Sequence, residues 1–133
     1  MSKILIVEDK ANNVEIFTRL LQRVGFECVS AGTKEGGLAA AREHLPDLVL
    51  MDIRMPMVDG GEECQTAGLE AAAELKADPA TSSIPVIALT GDAMRDFRSR
   101  MMEAGFCDYI EKPVTDLMQF VATIKKHLGG AGE

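Results

Sequence analysis

Four short apolar runs, each followed by polar side chains, constrain the fold of this chain most strongly. Short apolar runs separated by helical patterns predict the buried strands of a parallel sheet. In an open α/β sheet, the ligand site lies outside the carboxyl ends of the strands. The polar residues that follow the four runs, and that are expected to meet at one edge of the sheet, are Glu8, Asp9, Asp52, Thr90 and Lys112. Three carboxylates, a hydroxyl and an ammonium group suit a site for a metal ion and a phosphoryl group.

The rest of the sequence alternates between strand-like and helix-like patterns. The predicted strands span residues 3–7, 26–31, 48–52, 86–90 and 107–111. The first predicted helix runs from a cap at Asn12 or Asn13 to Val24, and the second spans 34–44 with Thr33 as its cap. The third spans 69–76, the fourth has an apolar face from Met94 to Ala104, and the last spans 117–128. This alternation predicts an α/β fold of the (βα)₅ type. Its doubly wound, five-stranded parallel sheet is expected to have the flavodoxin-like strand order 2-1-3-4-5.

Length and composition limit the possible classes of protein. The chain has 133 residues, 47% of them hydrophobic, which predicts one domain over residues 1–128 and a disordered tail at 129–133. A net charge of −7 disfavours nucleic acid as a partner. The apolar runs are too short to cross a bilayer, so a membrane is not an expected partner either. The three cysteines are scattered and odd in number, which predicts a reducing, cytoplasmic location.

The acidic residues at the predicted strand ends favour a magnesium site. Mg²⁺ takes oxygen ligands, usually one or two carboxylates together with waters and phosphate oxygens. Glu8 and Asp9 follow the first strand, and Asp52 is expected on its neighbour. Like charges gathered at one edge destabilise one another unless a cation bridges them. Taken alone, Glu8-Asp9 also fits a solvated loop, and Asp52 also fits the turn that ends a strand.

The same edge of the sheet favours phosphoryl chemistry. A carboxylate such as Asp52 can attack phosphorus and form an acyl phosphate. The Thr90 hydroxyl can donate to a phosphoryl oxygen, and Lys112 can pair with phosphate as a point charge. Singly, Thr90 also fits a strand residue, Lys112 an exposed surface lysine, and Tyr109 a partly buried strand aromatic. Their common position at successive strand ends favours the functional interpretation.

The chain resembles the receiver domain of two-component response regulators over essentially its whole length. The matching segments are 4–9, 46–56, Asp59-Gly60, 84–90, Ala104-Gly105 and 108–113. The resemblance implies a phosphorylation-dependent signalling switch. The acidic charge and the absence of a linker in the sequence favour a stand-alone receiver over a DNA-binding regulator. The resemblance implies that Asp52 receives a phosphoryl group from a phosphohistidine on a histidine kinase or a histidine phosphotransfer protein. It also implies that the domain catalyses its own phosphorylation and dephosphorylation.

The resemblance implies a role for each matching site residue. The implied ligands of Mg²⁺ are Glu8, Asp9, Asp52 and the backbone carbonyl of Arg54. Lys112 and Thr90 are expected to contact the phosphoryl group, and the Lys112–Pro113 bond is expected to be cis. Tyr109 is expected to turn inward when Thr90 moves. That movement would remodel the surface of the fourth helix and fifth strand for a downstream reader protein.

Two features depart from the family pattern. Residues 61–68 look like an eight-residue insertion before the third helix. A tolerated surface excursion is the favoured interpretation, and a partner-specific epitope beside the active site is the functional alternative. Glycines at both ends suit a loop, although residues 62–67 can also form a helical turn. Gly91 stands where the family commonly has alanine.

Other functions remain open or fit poorly. The chain also fits a receiver segment of a hybrid histidine kinase, or a binding module that acts without phosphorylation. A phosphatase with an aspartate nucleophile requires a second Asp two residues after Asp52, where Arg54 stands. A flavin binder requires a Ser/Thr/Gly-rich phosphate loop after the first strand, where Glu8 and Asp9 would repel phosphate.

One pair of residues predicts how long a phosphoryl group would last. Arg54 lies two residues after Asp52, and Asp92 lies two residues after Thr90. On adjacent loops, their side chains are expected to face each other across the phosphorylation site and to pair. Such a lid would obstruct the water that hydrolyses the acyl phosphate. The alternative is two solvated side chains with a negligible interaction.

Overall fold

The computed structural model describes residues 2–91, 95–112 and 114–128, which form an alternating series of strands and helices. The elements are β1 Lys3–Val7, α1 Ala11–Arg23, β2 Glu27–Ala31, α2 Lys34–His44, β3 Leu48–Asp52, β4 Met55–Pro56, β5 Glu63–Cys64, α3 Ala67–Ala77, β6 Val86–Thr90, α4 Arg95–Ala104, β7 Asp108–Glu111 and α5 Leu117–Leu128. The predicted (βα)₅ alternation is confirmed, with the pair β4 and β5 added after the third long strand.

Five parallel strands form the central sheet in the order β2-β1-β3-β6-β7. This is the predicted order 2-1-3-4-5, because β4 and β5 form a separate two-stranded sheet. The register aligns the carboxyl ends: Val7 lies beside Met51, and Asp52 lies beside Leu89. Polar residues that follow neighbouring strands are therefore brought to one edge.

Two hydrophobic cores cover the two faces of the sheet. On one face, Leu5 and Val7 of β1 pack with residues of α2, α3 and α4. On the other face, Ile4 and Ile6 of β1 pack with residues of α1 and α5. β1, β3 and β6 are therefore covered on both sides, which explains why they appear in the sequence as nearly continuous apolar runs.

The predicted helix boundaries are partly correct. Thr33 caps α2 as expected, because the backbone N–H of Gly36 donates to its Oγ1 at 2.9 Å. The predicted cap of α1 at Asn12 or Asn13 is wrong. The helix begins earlier, at Ala11, with Lys10 as the N-cap and no side-chain cap hydrogen bond, so both asparagines lie inside its first turn.

The apolar stripes of the last two helices are also partly correct. Phe120 and Ile124 of α5 are buried, and the Phe120 ring stacks on Phe17 of α1 at a centroid distance of 5.7 Å. Leu117 is 50% exposed, because it lies at the first residue of α5, at the edge of the core. Met101 of α4 is buried as expected, whereas Met94 lies outside the described residues.

The connection after β3 contains more regular structure than the sequence predicts. β4 and β5 pair antiparallel, with Met55 opposite Cys64 and Pro56 opposite Glu63. Helix α3 begins at Ala67 and includes Gly68. The segment 61–68 is therefore neither a simple loop nor a single helical turn, because it supplies one strand of a small hairpin and the first residues of α3.

Gly68 brings α3 unusually close to the end of β3. Its backbone N–H donates to the carbonyl of Ile53 at 2.9 Å. A Cβ atom at this position would lie 2.1 Å from the carbonyl oxygen of Asp52. Only glycine allows this approach, which attaches the start of α3 to the backbone of Asp52 and Ile53.

We expect Gly68→Ala to destabilise the fold. In an open helix, Gly to Ala stabilises by about 1 kcal/mol, but here the new methyl group must displace the backbone of Asp52. The expected net loss is about 1–3 kcal/mol, measured by urea unfolding. Gly91→Ala is the matched control, since no described atom lies within 4 Å of its added Cβ. Equal stability of the two variants would contradict this interpretation.

Candidate functional site

Three acidic side chains meet at the carboxyl ends of β1 and β3. Glu8 and Asp9 directly follow β1, and Asp52 is the last residue of β3. One carboxylate oxygen from each lies within 4.8 Å of the others. Glu8 and Asp52 are only 1% and 4% exposed. The expectation that these acids lie together is therefore fulfilled, and the cluster is set into the edge of the sheet rather than spread over the surface.

Lys112 connects two of these carboxylates. Its Nζ donates to Oε1 of Glu8 at 3.1 Å and to Oδ2 of Asp52 at 3.1 Å. The lysine is positioned by its backbone, because its N–H donates to the carbonyl of Thr90 at 2.8 Å. The Lys112 ammonium group thus neutralises part of the buried negative charge.

Asp9 differs from its two neighbours in its contacts. Its Oδ1 is buried, and it has no hydrogen-bond partner among the described residues. The nearest cation is Nζ of Lys10, at 3.9 Å. A buried carboxylate oxygen without a donor, beside two further carboxylates, fits a ligand of a hard cation such as Mg²⁺. The donor set is entirely oxygen, which disfavours metals that prefer sulfur or imidazole.

The pKa values in the cluster reflect burial and crowding of like charges. Burial raises the pKa of Asp52 from 3.8 to about 6; Glu8 adds to the rise and Lys112 opposes it. Burial also raises the pKa of Asp9, against the opposing effect of Lys10. Burial alone would lower the pKa of Lys112, but the charges of Asp52 and Glu8 outweigh it, so this pKa is raised. Both pKa values are raised, but the consequence for charge is opposite: the site disfavours the charged carboxylate of Asp52 and favours the charged ammonium of Lys112.

Thr90 and Tyr109 lie on the same side of the sheet, near the acidic cluster. Thr90 is the buried last residue of β6, beside Glu111 of β7. Tyr109 lies beside Ala88 and packs, partly buried, against the core that contains that residue. Residues two apart in a strand share a face, so Thr90 and Tyr109 are diagonal neighbours. The coupled movement expected for Thr90 and Tyr109 stays a prediction.

Of the two residues predicted to form a lid, Arg54 and Asp92, only Arg54 is among the described residues. Arg54 is exposed, and its backbone N–H lies 3.4 Å from Oδ1 of Asp52. Asp92 lies outside the described residues, as does Pro113, so the Arg54–Asp92 pair and the cis bond remain predictions.

Sequence reasoning missed Glu63 and Lys10 as neighbours of the site. The β4–β5 pairing places Glu63 so that its Oε1 lies 3.8 Å from Nζ of Lys10. Strands of two residues have no periodic signal, so nothing in the sequence indicated this contact.

Comparison with known proteins identifies the family. The model of the response regulator receiver domain matches residues 4–125. The polar-differentiation response regulator DivK of Brucella ovis is 39% identical over 128 residues, which cover 96% of this chain and 97% of that protein. The chain belongs to the receiver domain family of two-component response regulators.

Solved structures agree with this assignment. One similar structure is the receiver domain of the sensor histidine kinase PA1611 from Pseudomonas aeruginosa, which has a magnesium ion in its active-site cleft. It is 26% identical to this chain, with a TM-score of 0.81, and the match covers 96% of this chain and 98% of that one. The chemotaxis protein CheY4 of Vibrio cholerae, at 21% identity, 95% and 98% coverage and a TM-score of 0.83, shares the fold. Across the described residues, no helix is long and apolar enough to span a membrane.

We expect the stability of the metal-free protein to depend on pH through Asp52. Its pKa in the folded chain, about 6, lies above the ordinary 3.8, so the folded chain holds this proton more tightly. Stability is therefore lost as the pH rises from 3.8 to about 6, and the loss persists above that range. In a chelator at pH 7, Asp52→Asn should be more stable than the native chain, by on the order of 1–3 kcal/mol.

The comparison is made by urea unfolding over a pH series. The advantage of Asp52→Asn should disappear below pH 3.8, where the carboxyl is protonated in both states. Asp59→Asn removes the same charge from an exposed position on the loop after β4 and serves as the control. An Asp52→Asn variant that is less stable than the native chain at pH 7 would contradict the assigned burial cost.

Proposed function

We propose that this receiver domain is phosphorylated on Asp52 by transfer from the phosphohistidine of a partner histidine kinase or histidine phosphotransfer protein. The observation that carries the proposal is the position of the Lys112 ammonium between the Asp52 and Glu8 carboxylates, at 3.1 Å from each. A cation already in contact with the acceptor carboxylate is well placed for the oxygens of an incoming phosphoryl group.

Mg²⁺ is the proposed cofactor of this transfer. Its proposed ligands are Glu8, Asp9, Asp52 and the backbone carbonyl of Arg54. When bound, the ion would neutralise the acidic cluster and the charge on the transferring phosphoryl group. Two observations support the assignment: the unpartnered Oδ1 of Asp9 and the magnesium ion in the active-site cleft of the P. aeruginosa receiver domain.

Asp52 and Lys112 have different roles in the proposed transfer. The Asp52 carboxylate attacks phosphorus, the P–N bond to the donor histidine breaks, and the departing imidazole nitrogen takes up a proton. The result is an acyl phosphate on Asp52 and a neutral histidine on the partner. After the transfer, the Lys112 ammonium contacts phosphoryl oxygens in place of the carboxylate oxygen of Asp52, and it thereby neutralises part of their negative charge. Such a reaction depends on positioning and charge more than on covalent help from many groups.

The proposed output is a change at the surface of α4 and β7. Phosphorylation replaces one negative charge by nearly two and adds acceptor oxygens. The Thr90 hydroxyl, at the end of β6, can then be drawn toward the site, and Tyr109 can move into the space that Thr90 leaves. A downstream reader protein would recognise the altered surface. We assign this switch to a domain of residues 1–128 that works in the cytoplasm, consistent with the three free cysteines.

The acceptor is tested with a small acyl phosphate and Mg²⁺. Intact mass should rise by one phosphoryl group in the native chain and not at all in Asp52→Asn. The adduct should be labile to hydroxylamine, as a mixed anhydride is, and stable in acid. Labelling that survives hydroxylamine, or that persists in Asp52→Asn, would place the modification on another residue. A folded native chain that takes up no phosphate would favour a binding module that acts without phosphorylation.

The metal assignment is tested on Asp9. Asp9→Ala should abolish Mg²⁺-dependent phosphorylation, yet the fold should persist, because the variant removes a buried oxygen to which no described residue donates a hydrogen bond. Glu43→Ala removes the same charge from a side chain that is 76% exposed on α2, and it should be labelled like the native chain. Labelling of Asp9→Ala at the native rate in excess chelator would refute the metal site.

A further inference from the structure

The side chain of Lys10 lies between the acidic cluster and the β4–β5 hairpin. Its Nζ is 3.9 Å from Oδ1 of Asp9 and 3.8 Å from Oε1 of Glu63. Asp9 belongs to the proposed metal site, whereas Glu63 lies in the segment 61–68 that departs from the family pattern. One ammonium group is thus shared almost equally between a proposed metal ligand and the insertion.

The backbone on both sides of this contact is held in place. The carbonyl of Lys10 accepts from the N–H groups of Asn13 and Val14 at the start of α1, and its own N–H donates to Oε2 of Glu8. Glu63 is paired with Pro56 of β4, only four residues after Asp52. The backbones that carry the two carboxylates are therefore anchored, whereas the Lys10 side chain between them is 61% exposed.

A divalent cation bound at Oδ1 of Asp9 would take the place that Lys10 now has beside this oxygen. Oδ1 of Asp9 has no hydrogen-bond partner among the described residues, so Lys10 is the cation that offsets its charge in the metal-free protein. An ion bound at this oxygen would repel the ammonium group at such a distance. Glu63 offers Lys10 a second carboxylate, outside the acidic cluster, already 3.8 Å from its Nζ.

We propose that Lys10 is a built-in competitor of the divalent cation at Asp9, and that Glu63 of the insertion weakens this competition by giving Lys10 another partner. The inference rests on the proposed magnesium site and adds two positioning residues to it. The insertion then has a defined effect: it sets the concentration of Mg²⁺ at which the site fills, and hence the fraction of molecules ready to be phosphorylated.

The test is a magnesium titration that needs no phosphorylation. Binding is followed by the backbone amide NMR shifts of residues around Asp9 and Ile53, and the metal-free spectra report whether each variant is folded. Lys10→Gln should bind Mg²⁺ roughly threefold more tightly, the size expected for one exposed charge interaction. Glu63→Gln should bind it roughly twofold more weakly, since Lys10 then has only Asp9 as its partner.

Glu62→Gln is the matched control for Glu63→Gln. Glu62 is an exposed neighbour that carries the same charge, whereas the ion pairs of Lys10 among the described residues are with Asp9 and Glu63. It should weaken Mg²⁺ binding less than Glu63→Gln does. In the Lys10→Gln background, Glu63→Gln should have no more effect than Glu62→Gln, because the two residues act through one contact. All of these differences should shrink in about 1 M KCl, where the Debye length is about 3 Å.

Two results would overturn the inference while leaving the proposed function intact. One is native Mg²⁺ affinity in Lys10→Gln, and the other is an equal effect of Glu63→Gln and Glu62→Gln. Absence of Mg²⁺-dependent shifts from the native chain itself would instead overturn the magnesium site, and the competition at Asp9 with it.

Discussion

The contact of Lys112 with Glu8 and Asp52 is the interaction on which the site depends. Three carboxylates at the ends of two adjacent strands repel one another, and two of them are almost completely buried. One ammonium group cannot neutralise three carboxylates, so an excess of negative charge remains at this edge. That excess supports the proposed Mg²⁺ site, and burial together with the neighbouring Glu8 raises the pKa of Asp52 to about 6.

The parallel sheet is the reason that these residues meet. Because β1, β3 and β6 are covered by helices on both faces, they are apolar along their whole length, and polar residues can appear only where the strands end. The same property made the sheet predictable from the sequence. The runs that end at Val7, Met51 and Leu89 identified the strands, and the polar residues behind them identified the edge that holds the site. Strand order followed from the default doubly wound arrangement of a (βα)₅ chain.

What the sequence left undetermined depends on contacts between distant segments. The start of α1 was misplaced because two asparagines resembled caps, whereas the helix begins one residue after the turn that carries Asp9. The hairpin of β4 and β5 was missed because two-residue strands show no alternation. The function of Gly68 became clear only when α3 was seen against the carbonyl of Asp52. The hairpin and the approach of Gly68 are tertiary contacts that local propensity does not encode, whereas the start of α1 was a misread local cap signal.

The position of the β4–β5 hairpin indicates how the charges around the acidic cluster of a receiver domain can vary while the cluster itself is kept. The acidic cluster lies at the ends of two strands, β1 and β3, that pack in both hydrophobic cores, so its geometry tolerates little change. Its electrostatic surroundings are less constrained, because exposed charges such as Lys10 and Glu63 can be altered with little effect on folding. The segment 61–68 is anchored by the β4–β5 pairing and by the close approach of Gly68, and it places the charge of Glu63 near the acidic cluster. Under the proposed magnesium site, affinity for the cation can change independently of the fold, since the two depend on different sets of contacts.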